Sequence, residues 1–89
     1  MALKWTHGAL KSADEIAAFI ARDNLVRANS FIVELKESTA RLQSFPGMGR
    51  AGRVPGTREL VLHKKYLAIY RVKNGDVEVL RIHHVAQNL

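Results

Sequence analysis

Four side chains in the second half of the chain are of the types that handle phosphate and protons: Arg58, Arg81, His83 and His84. An arginine guanidinium is a planar fork that donates two parallel hydrogen bonds to a phosphate. A histidine exchanges a proton near neutral pH. Around them stand Arg50, Arg53, His63, Lys64 and Lys65, which would fringe the same surface with positive charge. Read together, these residues describe a phosphate-seeking cleft on a sheet.

The charge balance supports an anionic partner. Residues 1–49 carry six Lys/Arg and five Asp/Glu, whereas residues 50–89 carry eight and three, so almost all of the net +6 lies in the second half. RNA, DNA or an acidic protein segment would suit such a half, and so would a solvated basic surface that serves solubility alone. Cysteine is absent, which excludes disulfides and thiolate metal sites and fits a reducing, cytoplasmic setting. No apolar run approaches the ~20 residues that span a bilayer, and the first residues lack the apolar stretch of a signal peptide, so no membrane partner is expected.

Each candidate has a plainer reading. Arg81 on a strand could be the ion-pair partner of Glu59. His83 and His84 are adjacent, so on a strand they point apart, and no carboxylate or cysteine completes a metal set; no metal or cofactor is expected. Gly47, Gly49, Gly52 and Gly56 match neither a nucleotide-binding loop nor a dinucleotide fingerprint, and no helix follows them. Tyr66 and Tyr70 read as half-buried sheet residues rather than stacking platforms.

The elements that must position these residues follow from spacing. Leu3 to Thr6 alternates apolar and polar, as a short strand does. Leu10, Ala13, Ile16, Ala17 and Ile20 share one helical face, predicting a helix from about Ala9 to Arg22. Asp23 or Asn24 can cap a second helix, from about Leu25 to Ser44, with Ala28, Phe31, Ile32, Leu35, Thr39 and Leu42 as its buried stripe. Phe45-Pro46-Gly47 ends it, because proline cannot continue a helix. The stretch from Pro46 to Gly56 reads as a loop.

Three strands follow, Arg58–Leu62, Tyr66–Val72 and Val77–His83, the last two joined by the hairpin signal Asn74-Gly75. In the last strand, alternation sets Leu80 and Ile82 toward the helices, and Val77, Val79, Arg81 and His83 on the opposite face. The expected fold is therefore a single α+β domain over residues 1–89. Its order is β-α-α-β-β-β, an antiparallel twisted sheet packed on one face by an N-terminal helical hairpin.

Several segments resemble the RelE/ParE toxins of type II toxin–antitoxin systems. They are Phe45-Pro46-Gly47-Met48-Gly49-Arg50, Gly56-Thr57-Arg58-Glu59-Leu60, Tyr66-Leu67-Ala68-Ile69-Tyr70-Arg71-Val72 and Val77-Glu78-Val79-Leu80-Arg81-Ile82-His83-His84. The likeness runs over essentially the whole chain. It implies the fold just derived, a cognate antitoxin that wraps the toxin, and growth inhibition by the free toxin.

Two activities are implied by different branches. RelE-like members cut mRNA on the ribosome without metal; ParE-like members poison DNA gyrase and are not nucleases. Ribosome-dependent mRNA cleavage by an endoribonuclease is the leading reading, and a gyrase poison without nuclease activity is the alternative. Leu67 stands where RelE-type nucleases often carry an arginine, which favours gyrase. Arg81 followed by His83 and His84 resembles the ending of certain ribosome-dependent nucleases, which favours mRNA.

For cleavage, the ribose 2′-OH attacks the adjacent phosphate. A base removes its proton, cations stabilise the added charge, and an acid protonates the leaving 5′-oxygen. His83 or His84 would move protons and Arg58 and Arg81 would hold the phosphate. Arg50, Arg53, His63, Lys64 and Lys65 would bind the backbone.

Overall fold

The computed structural model describes residues 1–63 and 65–85. Lys64, one of the expected backbone-binding residues, lies outside them. Strand β1 (Leu3–Trp5) leads into helix α1 (His7–Ala21) and helix α2 (Leu25–Ala40), which ends in a single 3-10 turn (Arg41–Gln43). Strands β2 (Arg50–Ala51), β3 (Arg58–His63), β4 (Tyr66–Lys73) and β5 (Asp76–His84) follow.

Both helices start where a side chain can replace a missing intrahelical partner. The Thr6 hydroxyl accepts from the Ala9 amide at 3.1 Å, and the Asn24 side chain accepts from the Arg27 amide at 2.9 Å. The stripe expected on α2 is buried as read: Ala28, Phe31, Leu35, Thr39 and Leu42, with Ile32 packed beside them. On α1 the buried line runs through Ala9 and Ala13, with Ile16, Ala17 and Ile20 partly buried against the core. Leu10, expected in that line, is instead half exposed.

The sheet order is β1-β5-β4-β3-β2. β3, β4 and β5 form the antiparallel meander, and Asn74 (φ 53°) and Gly75 (φ 77°) take the two left-handed positions of its last turn. Two features were not legible in the sequence. β1 pairs with β5 in parallel, Leu3 opposite Val77 and Trp5 opposite Val79, so the sheet is mixed. Within the expected loop, Arg50 and Ala51 add a two-residue edge strand against Glu59 and Arg58.

The facing of β5 departs from simple alternation. Tyr70 lies opposite Val79 and Ile69 opposite Arg81, so Leu80 is an extra residue in a β-bulge. The bulge resets the parity. Val77, Val79 and Ile82 all enter the core beneath the helices, while Leu80 is only half buried. The expectation that Val77 and Val79 lie opposite Ile82 fails for that reason.

Candidate functional site

The cross-strand register decides which candidates meet. Arg50, Glu59, Ile69 and Arg81 form one row across β2, β3, β4 and β5. Ala51, Arg58, Tyr70 and Val79 form the neighbouring row, whose side chains point to the other face, as the buried Tyr70 and Val79 do. Arg58 and Arg81 are therefore on opposite faces of the sheet. The single surface expected for Arg58, Arg81 and His83 is not assembled.

Arg58 has a different engagement. Its guanidinium donates to the Gly49 carbonyl at 2.8 Å. Next to it the Tyr70 hydroxyl donates to the Pro46 carbonyl at 2.7 Å and accepts from the Gly49 amide at 2.9 Å. Tyr70 is fully buried, not half buried, and Tyr66 is buried as well. The glycine at 49 is required for this approach. A Cβ there would lie 2.7 Å from the Tyr70 ring and hydroxyl and 2.9 Å from the Glu59 carbonyl.

Glu59 pairs with Arg50 (3.0 Å) rather than with Arg81, and its own side chain is nearly buried. The acid that alternation offered to Arg81 is thus taken by the neighbouring edge strand. Arg81 is exposed. It borders a cleft of about 390 Å³ lined by Ser12, Glu15, Phe19, Tyr66 and His84 among others. The His84 ring stands edge-on to Tyr66, with centroids 5.1 Å apart. His83 lies opposite Leu67 and is 3% exposed, so it sits within the sheet's packing and not in an open cleft.

The fringe is divided too. Arg50 and Arg53 lie at the Arg58 end of β3. His63 and Lys65 lie at the far end, roughly 17 Å along a six-residue strand. His63 is exposed, and its Nδ1 accepts from the Lys65 amide at 3.4 Å. Among the described residues, no three His, Cys, Asp or Glu side chains are grouped so as to hold a metal ion. No described helix is long and apolar enough to cross a membrane.

Sequence reasoning missed Glu15 and Ser12. Ser12 accepts the Ile82 amide at 2.9 Å and so ties α1 to β5 beside the cleft. Nothing in a helical pattern distinguishes such a serine from an exposed one.

Comparison with known proteins places this geometry. Residues 3–89 match the family model described as the ParE toxin of the type II toxin–antitoxin system, parDE. The Sinorhizobium fredii protein Y4kP is 37% identical over 86 residues, covering 96% of this chain and 88% of that protein. Toxin RelE2 of Caulobacter vibrioides is 31% identical over 83 residues, covering 93% of each. A solved structure described as the chromosomal ParDE TA system from P. aeruginosa superposes with a TM-score of 0.83 at 32% identity, covering 94% of this chain and 95% of that one. A YoeB/ParE toxin from Agrobacterium tumefaciens shares the fold, with a TM-score of 0.64 at 17% identity. With its match extending from residue 3 to residue 89, the chain belongs to the ParE toxin family of type II toxin–antitoxin systems, within the RelE/ParE superfamily.

Proposed function

We propose that this toxin, held in check by a cognate antitoxin as its family implies, acts by binding and poisoning DNA gyrase, without nuclease chemistry of its own. One observation carries the reading. The two arginines best suited to hold a scissile phosphate face away from each other, and Arg58 is engaged with the Gly49 carbonyl. A phosphoryl-transfer site needs its cations preorganised around one phosphorus. Bringing Arg58 and Arg81 together would require one strand to turn over, and a register slip of that kind would expose the core.

A second reading keeps ribosome-dependent mRNA cleavage, on the strength of one specific arrangement. Arg81 and His84 border the same cleft, with Glu15 and Tyr66. A cation, a proton carrier and a carboxylate bordering one cleft have the chemical types that ribose-phosphate cleavage uses.

The two readings separate in a paired assay. The toxin is added to a reconstituted translation reaction, with primer extension across the message, and in parallel to a gyrase supercoiling reaction. Gyrase-dependent DNA cleavage with intact message is the expected result. Codon-phased breaks in the message with undisturbed supercoiling would replace this reading by the nuclease one.

A further inference from the structure

From Ser38 to Arg58 the chain contains four arginines and no acidic residue; Glu37 and Glu59 bound the stretch. All four arginines are exposed, and Arg58 also donates to the Gly49 carbonyl. Arg53 makes no hydrogen bond or ion pair with another described residue. The Arg50 side chain remains 62% exposed although it pairs with Glu59.

The backbone that carries them is fixed. The Tyr70 hydroxyl bridges Pro46 and Gly49. Gly52 donates to the Thr57 carbonyl at 2.8 Å, and Thr57 closes the tip by donating to Val54 through both its amide and its hydroxyl. A Cβ at position 52 would collide with the Thr57 side chain. Connections of this length without much regular structure are uncommon unless they present something, and this one is held by polar bonds rather than by apolar filling. What it presents is arginine in forked, weakly hydrated form, with Arg50 paired to Glu59 and Arg53 without a carboxylate partner among the described residues, which fits phosphate.

We propose that the segment from Arg41 to Arg53 is a docking surface for the phosphodiester backbone of duplex DNA, independent of any base sequence. The choice of DNA rests on the gyrase reading, since duplex DNA is the substrate on which gyrase acts. In the poisoned complex the loop lies along the duplex while the rest of the toxin engages the enzyme. Neutralising about three phosphates releases counterions, so affinity falls steeply with salt.

The test is fluorescence anisotropy of a labelled 20-base-pair duplex titrated with the full chain, freed of antitoxin, across a series of salt concentrations. The expected log–log slope is about −2 to −3, the same for unrelated sequences. Arg53→Ala should lower its magnitude by about one, and Arg53→Glu should abolish binding. Lys11→Glu, an exposed position on α1 with the same charge change, should shift affinity far less. Equal loss in Arg53→Glu and Lys11→Glu would reduce the effect to net charge and overturn the proposal. Single-stranded RNA bound as tightly as duplex would overturn the choice of DNA. The supercoiling assay keeps the two ideas apart. Gyrase untouched by the wild-type chain defeats the gyrase reading, whereas gyrase inhibited equally by wild type and Arg53→Glu defeats the loop alone.

Discussion

The Ser12 hydroxyl accepts the Ile82 amide at 2.9 Å, joining the second turn of α1 to the last third of β5. Ile82 is 1% exposed, and β1 has already ended before this point of the strand. The serine therefore does the work of a missing neighbouring strand. Ser12→Ala leaves a strand amide without its acceptor, which costs about 1–3 kcal/mol. The urea midpoint should fall by that amount divided by the slope, with the slope unchanged.

Tyr70 links the sheet to the loop through one hydroxyl, so Tyr70→Phe removes two bonds in one step. We expect a loss of about 1–3 kcal/mol, together with faster amide exchange at Gly49. Gly49→Ala attacks the same junction sterically, at a cost of about 1–3 kcal/mol or more. Because the two changes share one contact, the double variant should be less destabilised than the sum of the singles. Additive losses in denaturant titrations would mean that the loop does not depend on this junction.

Asp76 gives the protein an acid-sensitive fastening. Its carboxylate accepts from the Ala2 amide (3.1 Å) and pairs with Lys4 (3.0 Å). The Lys4 hydrogen bond, followed by that from Ala2, holds its pKa below the ordinary 3.8. A depressed folded-state pKa contributes stability that is present above the unfolded value and lost as pH falls through the folded one. The loss therefore begins near pH 4 and deepens below it. Asp76→Asn should flatten the acid limb of a stability–pH curve there and leave its shape at neutral pH unchanged.

Arg81 distinguishes the two functional readings with one substitution. It is exposed, so Arg81→Ala opens no core cavity. For a gyrase poison that does not use it, growth inhibition should change by no more than a few fold. For a nuclease, loss of a charge-stabilising donor typically removes about 10²–10³-fold of the rate. Single-turnover cleavage of a ribosome-bound message, measured beside gyrase inhibition, reads both.

Local chemistry was legible and long-range registration was not. The Asn24 cap, one of two candidates, the stripe from Ala28 to Leu42 and the Asn74-Gly75 turn each depend on a few neighbours, and each stands where its pattern allows it. The facing of β5 depends on a single inserted residue, Leu80, and alternation cannot reveal which of two adjacent apolar residues is the extra one. Arg58 and Arg81 were assigned one face because each looked suitable alone. Which rows they occupy is fixed by pairing across β4, Arg58 with Tyr70 and Arg81 with Ile69, each 12 positions apart. The Arg50–Glu59 pair escaped notice because its glycine-rich surroundings carry no strand signal, and the pair in turn explains why Arg81 is left exposed.

The parallel pairing of β1 with β5 has a consequence for biosynthesis. Among the described strands, the earliest in the sequence has as its partner the latest, more than 70 residues on. Until Val77 to Val79 emerge, Leu3 to Trp5 have no edge to join, and the helical hairpin has no finished sheet to cover. Chains assemble from the N-terminus, and a pairing of such sequence separation forms late. The described sheet is thus closed at its β1 edge only after β5 has been made, so the two helices wait for most of the chain before they have a finished sheet to cover.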